Sequence, residues 1–389
     1  MQICICRIRV EYVKLEEICT IVSGGTPSRS KPNYWNNGNI PWIKIKDMKS
    51  KYIASAEEFI TEEGLNNSST KMLKCGTILY SIFATLGEVG ILKIDACTNQ
   101  AIAGLSLKED SNILKEYLYY YLKSKKKDVN NLGRGVAQNN INLSLLRKFK
   151  IPVIPLCQQK KIIEVLDNVS STINNYEREL ALLDELVKAR FVEMFGDPVT
   201  NDMLWNTDVL KDICTKIGSG STPRGGKESY IDEGISLIRS MNVHNAYFEY
   251  KDLAHITLDQ AEKLNNVVVE HDDLLFNITG ASVARCCVVP SDVLPARVNQ
   301  HVCILRCREK INPIFLQGLL VNENYQGKLL QIAKSGATRE AINKQQLESL
   351  EIMIPPLELQ NQFASFVQEI DKSRLLSNHS LFLIKSLIF

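Results

Sequence analysis

The chain has 389 residues, of which 45% are hydrophobic and 23% are charged, and its formal net charge at pH 7 is +2. This length accommodates two ordinary domains and a connector, and this composition is typical of a globular protein and excludes a disordered one. No apolar run approaches the ~18 residues that cross a bilayer, and the first ten residues lack the h-region of a signal peptide, so we expect a cytoplasmic protein without membrane contact.

Eleven cysteines and five histidines are scattered along the chain. No two cysteines have the Cys-x-x-Cys spacing that structural zinc sites commonly use, so we expect no metal ion. An odd number of unpaired cysteines is typical of a reducing compartment, where most thiols pack as small apolar side chains.

The first distinctive element is the loop SGGTPSRSKPNY at 23–34, and a close copy, SGSTPRGGKESY, occupies 219–230. Either loop alone would be explained as an ordinary turn, because Gly relaxes the backbone, Pro fixes φ and hydroxyl groups bond nearby amides. The rest of the chain therefore has to decide whether the repetition has a function.

Further segments recur in the same order, and their offset grows only from 195 (Leu15 to Leu210) to 201 (Gln159 to Gln360). The matched segments are LEEIC (15–19) with LKDIC (210–214), PWIKIKDM (41–48) with SLIRSMNV (236–243), FIT (59–61) with HIT (255–257), GTILYSIFAT (76–85) with DDLLFNITGA (272–281), NQAIAGLSL (99–107) with NQHVCILRC (299–307), GVAQNNIN (135–142) with GATREAIN (336–343), and IPVIPLCQQ (151–159) with IMIPPLELQ (352–360). A period this long indicates a duplicated domain, since solenoid repeats are far shorter.

Each copy contains short apolar segments rich in β-formers, such as 76–81 and 272–278, separated by Gly, Asn and Pro. Segments 111–128 and 311–331 have helical spacing. The prediction is an α+β fold with two tandem mixed α/β domains, each built on a mostly antiparallel twisted sheet. The predicted boundaries are 1–157 and 199–356 for the domains, with long helices at 158–198 and 357–389.

The two long helices carry apolar residues at alternating steps of four and three, which is the heptad pattern of a coiled coil. The predicted pairing positions are Ile162, Leu166, Val169, Ile173, Tyr176, Leu180, Leu183 and Val187 in the first helix, and Phe363, Val367, Ile370, Leu381, Ile384 and Ile388 in the second. Arg374 and Ser377 interrupt the second series. The shared register favours pairing of the two helices over two helices docked separately. Because both helices leave equivalent domains, a two-fold arrangement would make the coiled coil antiparallel, and about 37 residues at ~1.5 Å each predict a spacer of ~55 Å.

Basic residues concentrate between Lys123 and Lys161, where ten Lys and Arg residues accompany one acid, Asp128. A nucleic-acid surface explains this run better than a solvated helix face does. By contrast, the chain lacks the Gly-x-x-x-x-Gly-Lys-Ser/Thr loop, the Asn/Asp-Pro-Pro-aromatic tetrad of amino-methyltransferases and a nucleophile elbow. We therefore expect no catalytic residue and a protein that binds.

The repeated domains, each beginning L-x-x-I-C before a Gly-rich Thr-Pro loop and ending P-L-x-x-Q, and the central helix ending LLDELVKARFVEMFGDP (182–198), resemble the specificity subunits of type I restriction-modification systems. The resemblance extends from Leu15 to the C-terminus. It implies two target-recognition domains that each read one half of a bipartite double-stranded DNA site. It also implies separator helices that recruit methyltransferase subunits, two being expected, and through them restriction-translocase subunits. The chain itself would need no cofactor, because S-adenosylmethionine, ATP and Mg²⁺ would be bound by those partners.

The candidate DNA-binding residues lie on the repeated loops at 23–34 and 219–230, in the matched segments 41–48 with 236–243 and 135–142 with 336–343, and in the basic run. Arg suits guanine O6 and N7, Asn and Gln suit adenine, and Lys suits phosphate. They are Thr26, Ser28, Arg29, Lys31, Lys44, Lys125, Lys126, Lys127, Arg134, Gln138, Asn139, Thr222, Arg224, Lys227, Arg239 and Arg339. Among these, Lys44, Arg239 and Lys125–Lys127 are expected to neutralise phosphates. Asn99-Gln100 and Asn299-Gln300, identical in the two copies, are expected to serve the scaffold.

Two features depart from a perfect repeat. The second helix has no match for the ARFVEMFG end of the first, so we expect that end of the coiled coil to close less completely, and residues 1–10 have no counterpart. Two other hypotheses remain open. One is a stand-alone DNA methyltransferase or nuclease with an unrecognised site, and the other is a coiled-coil assembly scaffold that does not bind DNA.

Overall fold

The structure, a computed structural model, describes residues 10–133, 140–223, 225–335 and 340–388, with the backbone alone at 131–133, 227, 387 and 388. The chain divides into two compact units, Met1–Thr172 and Ile173–Phe389. Within the described residues, no helix has the length and apolarity needed to cross a membrane.

The described part of the first unit contains ten strands. They are β1 (Glu11–Lys14), β2 (Cys19–Ser23), β3 (Ile40–Ile43), β4 (Tyr52–Ile53), β5 (Glu58–Ile60), β6 (Ile78–Ser81), β7 (Val89–Leu92), β8 (Cys97–Thr98), β9 (Ile102–Leu107) and β10 (Lys150–Val153). The helices are α1 (Leu15–Ile18), α2 (Glu62–Asn66), α3 (Lys115–Ser124), α4 (Lys126–Gly133), α5 (Leu143–Arg147) and α6 (Leu156–Phe195), of which α6 extends into the second unit.

These strands form a five-stranded sheet in the order β2-β9-β6-β7-β4, a three-stranded sheet β5-β3-β8 and a β1-β10 pair. The central strand β6 is buried along its whole length. Because successive side chains in a strand point to opposite faces, Ile78 and Tyr80 enter a core that includes Leu118, whereas Leu79 enters a second core with Ile43. Coverage of both faces explains why β6 reads as a continuous apolar run.

The described part of the second unit contains twelve strands. They are β11 (Thr207–Val209), β12 (Cys214–Ser219), β13 (Ile235–Ile238), β14 (Val243–His244), β15 (Tyr247–Phe248), β16 (Ala254–Ile256), β17 (Val268–Val269), β18 (Leu274–Asn277), β19 (Cys286–Val288), β20 (Ala296–Val298), β21 (Val302–Cys307) and β22 (Glu351–Met353). Its further helices are α7 (Leu210–Ile213), α8 (Leu258–Glu262), α9 (Pro313–Val321), α10 (Glu323–Lys334), α11 (Lys344–Glu348) and α12 (Leu357–Ile388).

The second unit repeats the topology of the first. Sheet β12-β21-β18-β19 corresponds to β2-β9-β6-β7, sheet β16-β13-β20 to β5-β3-β8, and pair β11-β22 to β1-β10. Among the described strands, the parallel pairs are β3 with β8, β4 with β7, and β13 with β20, while the other pairs are antiparallel. The predicted duplication and mostly antiparallel α+β fold are therefore confirmed.

Within the second unit, the C-terminal part of α6 pairs with α12 in antiparallel orientation. As α6 is followed backwards through Asp184, Glu179 and Glu177, its partners on α12 advance through Arg374 (2.6 Å), Ser377 (3.2 Å) and Lys385 (2.8 Å). The pair begins at an aromatic cluster, where the fully buried Phe363 lies with its ring centroid 5.4 Å from that of Phe191 and 5.6 Å from that of Phe195.

The predicted pairing positions follow one stripe of α6 in the second unit. Ile173, Tyr176, Leu180, Leu183 and Val187 are half-buried, and the residues between them are exposed. On α12, Phe363, Val367 and Leu381 are buried and Ile370 and Ile384 are half-buried. In the first unit, Leu166 packs against the core that contains Tyr80, Val169 is half-buried, and Ile162 is exposed.

The two polar residues that interrupt the apolar series of α12 lie on the same stripe. Ser377 is buried and donates to Glu179, and Arg374 is half-buried with its Nη1 on Asp371 and its Nη2 on Asp184. The stripe is therefore continuous through positions 374 and 377. Its middle is a polar layer, which is the kind of feature that fixes register in coiled coils.

Candidate nucleic-acid interface

In both units the repeated loop begins where the chain presses against a neighbouring backbone. Gly24 N–H donates to Ile102 O (3.0 Å), and Gly220 N–H donates to Asn299 O (3.1 Å). A Cβ added at Gly24 would lie 2.2 Å from Asn99 O, and one at Gly220 would lie 1.8 Å from Val298 O. Glycine is therefore required at both positions because the backbone has no room for a side chain.

Two residues after the glycine, a hydrogen bond between side chains holds each loop in place. The Thr26 hydroxyl donates to Gln100 Oε1, and the Thr222 hydroxyl donates to Gln300 Oε1. The preceding asparagines also act alike, because Asn99 Oδ1 accepts from the amide of Ala101 (3.1 Å) and Asn299 Oδ1 from that of His301 (3.0 Å). The Asn-Gln pairs thus form hydrogen bonds within the scaffold, as expected, and Thr26 and Thr222 are their partners in those bonds.

The turns that follow β6 and β18 lie beside the segments that begin with these Asn-Gln pairs. Ile82 N–H donates to Ala101 O (2.8 Å), and Ile278 N–H donates to His301 O (3.0 Å). Ala84 (φ 60°) and Gly280 (φ 79°) occupy equivalent left-handed positions in the two turns.

The ends of the matched segments 135–142 and 336–343 return to the same turn in each unit. Phe83 forms an isolated antiparallel bridge with Asn140, and Thr279 forms one with Ala341. We call the resulting set the repeated surface: residues 24–31, 82–87, 99–101 and 140 in the first unit, and residues 220–223, 278–284, 299–301 and 340–341 in the second.

The two repeated surfaces have a similar backbone, but the side chains at matched positions of the turn differ. The first unit has Phe83, which is 43% exposed, beside Ala101. The second unit has Thr279, whose hydroxyl lies 2.6 Å from Nδ1 of His301. One unit therefore presents an aromatic ring where the other presents a hydroxyl and an imidazole.

The cations of the first loop are held by aromatic and acidic neighbours. The Arg29 guanidinium lies 3.6 Å from the ring centroid of Trp35 and is ion-paired with Glu58. Lys31 Nζ donates to the Tyr34 hydroxyl (2.9 Å), and this hydrogen bond raises the pKa of Lys31. The Ser28 and Ser30 hydroxyls lie 2.8 Å apart.

Lys44 and Arg239 occupy equivalent positions after β3 and β13, but their partners differ. Lys44 pairs with the Glu58 carboxylate, whereas Arg239 Nη2 donates to Asp252 O. Burial lowers the pKa of Lys44, the neighbouring Lys46 lowers it further, and the Asp47 carboxylate opposes that effect.

The predicted basic run packs against the turn of the first unit. A Cβ at Gly87 would lie 3.2 Å from the Cα of Lys126, whose Nζ lies 2.6 Å from a Glu88 oxygen. Lys125 pairs with Asp128 at 3.0 Å, and that hydrogen bond raises the pKa of Lys125. Lys127 follows on the same helix, α4. The structure thus brings Lys125–Lys127 next to the repeated surface.

Arg134, Gln138, Asn139, Arg224 and Arg339 lie outside the described residues, as do the side chains of Lys227 and Ile388. Among the described residues, no group of three or more His, Cys, Asp and Glu side chains is arranged to hold a metal ion.

Sequence reasoning missed Phe83, Thr279, His301 and Glu58. The first three lie within matched segments, so a position-by-position comparison of the two copies for exposed-type residues that differ would have found them. Glu58 has no such signal, because its contact with Arg29 depends on how β3 and β5 pair.

Comparison with known proteins agrees with this architecture. A family described as "Type I restriction modification DNA specificity domain" matches residues 8–184 and 203–384. The specificity subunit of the Escherichia coli type I restriction enzyme EcoR124I/EcoR124II is 34% identical over 188 residues, which cover 47% of this chain and 46% of that subunit. The MjaIX specificity subunit of Methanocaldococcus jannaschii is 26% identical, over 96% of this chain and 89% of that subunit.

Solved structures show the same fold. The type I restriction-modification S subunit from M. genitalium matches 100% of this chain and 96% of its own with a TM-score of 0.59 at 14% identity. A chain from a structural study of complex assembly in the type I system matches 97% of this chain and 95% of its own, with a TM-score of 0.55 at 16% identity. The chain belongs to the family of type I restriction-modification DNA specificity subunits.

Proposed function

We propose that this chain reads a two-part sequence in double-stranded DNA, one part with the repeated surface of each unit. The observation that carries the proposal is that the two units hold the repeated loop by the same kinds of contact, while the side chains at the neighbouring turn differ. Gly24 and Gly220 both press against the backbone of the matched residues Thr98 and Val298, and Thr26 and Thr222 make the same bond to a glutamine. At the turn beside them, Phe83 and Ala101 stand where the second unit has Thr279 and His301. A shared scaffold with different side chains at matched positions is what recognition of two different base sequences requires, since base edges are distinguished by side-chain chemistry.

The proposal includes partners. The paired helices α6 and α12 would recruit modification methyltransferase subunits, two in number, and through them the restriction-translocase subunits. In that arrangement S-adenosylmethionine, ATP and Mg²⁺ are bound by the partners, and this chain has no catalytic residue of its own. A subunit that reads DNA works where the DNA is, so we place it in the cytoplasm.

The experiment that tests DNA reading is methylome sequencing of cells that carry this chain with its methyltransferase. Two double variants exchange the differing residues between units: Phe83→Thr with Ala101→His, and Thr279→Phe with His301→Ala. We expect a split methylated motif in which the first double variant changes one half and the second changes the other. A motif that both variants alter in the same half would contradict the assignment of one half to each unit.

Two competing functions make different predictions. A stand-alone methyltransferase would bind S-adenosylmethionine, so heat released on titration of the isolated chain with this compound would support that function. A scaffold that does not bind DNA would leave the methylome unchanged in both double variants. The repeated surface, with a cation-bearing loop in the first unit, favours DNA reading over both.

A further inference from the structure

One acidic residue, Glu58, lies among the cations of the first loop. Its carboxylate is ion-paired with Arg29 and with Lys44 at the same time. Glu58 is on β5 directly opposite Trp42 of β3, and Lys44 follows β3, so the sheet itself brings the carboxylate to this place. A carboxylate is an unexpected residue on a surface that approaches phosphates, because like charges repel.

Two indole rings form the wall behind Arg29. The rings of Trp35 and Trp42 meet edge to face, with centroids 5.0 Å apart, and the guanidinium carbon of Arg29 lies 3.6 Å and 5.1 Å from these centroids. The wall is tied to the loop itself, because Trp35 Nε1 donates to Ser28 O (3.1 Å) and Trp42 Nε1 donates to Gly25 O (3.0 Å).

These contacts fix the guanidinium and leave it accessible. Its face lies on Trp35, and Nη2 bonds to Glu58, yet 55% of the Arg29 side chain is exposed. A guanidinium has five N–H donors in a rigid fork, so donors remain for a base after the bond to Glu58. An arginine that is already ordered loses less conformational entropy when it binds.

The second unit lacks this arrangement at the equivalent positions. In β13 and β16 the pair Leu237–Ala254 has the register that Trp42–Glu58 has in β3 and β5. A methyl group thus replaces the carboxylate and a leucine replaces the indole. The arrangement of Arg29, Glu58 and the two indole rings is therefore specific to the first unit, and it would make the two half-targets differ.

We infer that Glu58 is a positioning residue that orients Arg29 for bidentate recognition of guanine in the half-target read by the first unit. The inference rests on the proposed function. Guanine O6 and N7 accept two parallel N–H donors, which is the geometry that a fixed guanidinium edge offers. The carboxylate also disfavours a phosphate as the ligand of this arginine, so the same residue selects a base over the backbone.

The test uses the full chain, affinity-purified from its own cells with the subunits that remain bound to it. The complex is incubated with a duplex DNA library of randomised sequence, and the bound duplexes are sequenced. The variants are Arg29→Lys and Glu58→Gln, with Glu57→Gln as the matched control. Glu57 is the adjacent residue and pairs with Lys46, so the control also removes an acidic partner of a lysine while it leaves Arg29 in place.

We expect one guanine in the first half-target to lose about tenfold of its enrichment in Arg29→Lys and about threefold in Glu58→Gln, with the second half-target unchanged. Glu57→Gln should match the unaltered chain at every position. A uniform loss of binding in Arg29→Lys would identify a phosphate contact and overturn the inference. Unchanged base preferences in Glu58→Gln would overturn it as well. If the unaltered complex enriched no split motif, the proposed function would fail first.

Discussion

A single glycine of the second loop has no room for a side chain, and its neighbour two residues earlier has ample room. A Cβ at Gly220 would lie 1.8 Å from Val298 O, whereas a Cβ at Gly218 would meet nothing within 4 Å. We expect Gly220→Ala to destabilise the second unit by about 2 kcal/mol, because a backbone carbonyl cannot move aside without a shift of β20.

Thermal unfolding of the full chain measures this difference, since about 1 kcal/mol corresponds to ~2–4 °C in units of this size. Gly218→Ala is the control. It should change the free energy of unfolding by no more than ~0.5 kcal/mol, which corresponds to about 1–2 °C in the unfolding midpoint. Equal midpoints for the two variants would show that close approach does not explain Gly220.

At the residue scale, the sequence predicted the loops better than the contacts within them. The repeated Gly-rich Thr-Pro segments are loops in both units, and Arg29, Lys31 and Lys44 lie on or beside the first one. The ion pairs of Glu58 were beyond prediction, because Arg29 and Glu58 meet through strand pairing and not through sequence spacing. Which of these residues contact DNA stays a prediction.

Among the elements, α12 depends on one aromatic anchor. Phe363 is fully buried and its ring meets those of Phe191 and Phe195, whereas Phe382 on the same helix is 68% exposed. We expect Phe363→Ala to lower the free energy of unfolding of the second unit by about 3–5 kcal/mol, through lost burial and the cavity left behind. Urea denaturation followed by the helical circular dichroism signal is the measurement.

Phe382→Ala removes the same side chain from an exposed position of the same helix, so it should change the free energy of unfolding by no more than about 0.5 kcal/mol. A comparable loss in both variants would mean that the aromatic cluster does not anchor α12.

The pairing stripe shows how a pattern can be correct and its interruptions misleading. The apolar period of four and three predicted the antiparallel pair, yet Arg374 and Ser377 looked like a break in it. In the structure both lie on the stripe, because Asp184 and Glu179 on α6 supply the polar partners. A hydrophobicity pattern contains no information about such partners on another helix.

For the whole molecule, the proposed function predicts how binding responds to salt. Each phosphate that a lysine neutralises adds about 0.9 to the slope of log K against log salt concentration. We expect the double variant Lys125→Ala, Lys127→Ala to bind duplex DNA with a slope shallower by about 2, because both residues flank Lys126, which packs against Gly87 in the turn that bears Phe83. Fluorescence anisotropy at several salt concentrations, with the full chain and its bound subunits, gives the slope.

The control for the salt experiment lies at the other end of the central strand. Lys74 precedes β6, whereas the turn of the repeated surface follows it, and Lys74 pairs with Asp95 at 2.7 Å. Lys74→Ala should leave the slope unchanged. A slope that falls equally in both variants would assign the salt dependence to overall charge instead of the basic run.

The duplication was the feature of the whole chain that the sequence predicted most completely. Matched segments gave the two-copy fold, and the strand orders of both units agree with it. The sequence did not predict that the matched segments 135–142 and 336–343 would meet the turns after β6 and β18, since Phe83 and Asn140 are brought together by the fold alone.

The contacts that hold the repeated loops in place have an evolutionary consequence. The loops are held by the close backbone approach of Gly24 and Gly220 and by the bonds of Thr26 to Gln100 and of Thr222 to Gln300. None of these contacts involves the side chains at positions 83, 101, 279 and 301, so those side chains can be exchanged at little cost to stability. Under the proposed function, a lineage acquires a new DNA target by a handful of such substitutions. Because this one subunit would direct both methylation and cleavage, both activities would acquire the new recognition sequence at the same time, and the host DNA would be methylated at the sites that are newly open to cleavage.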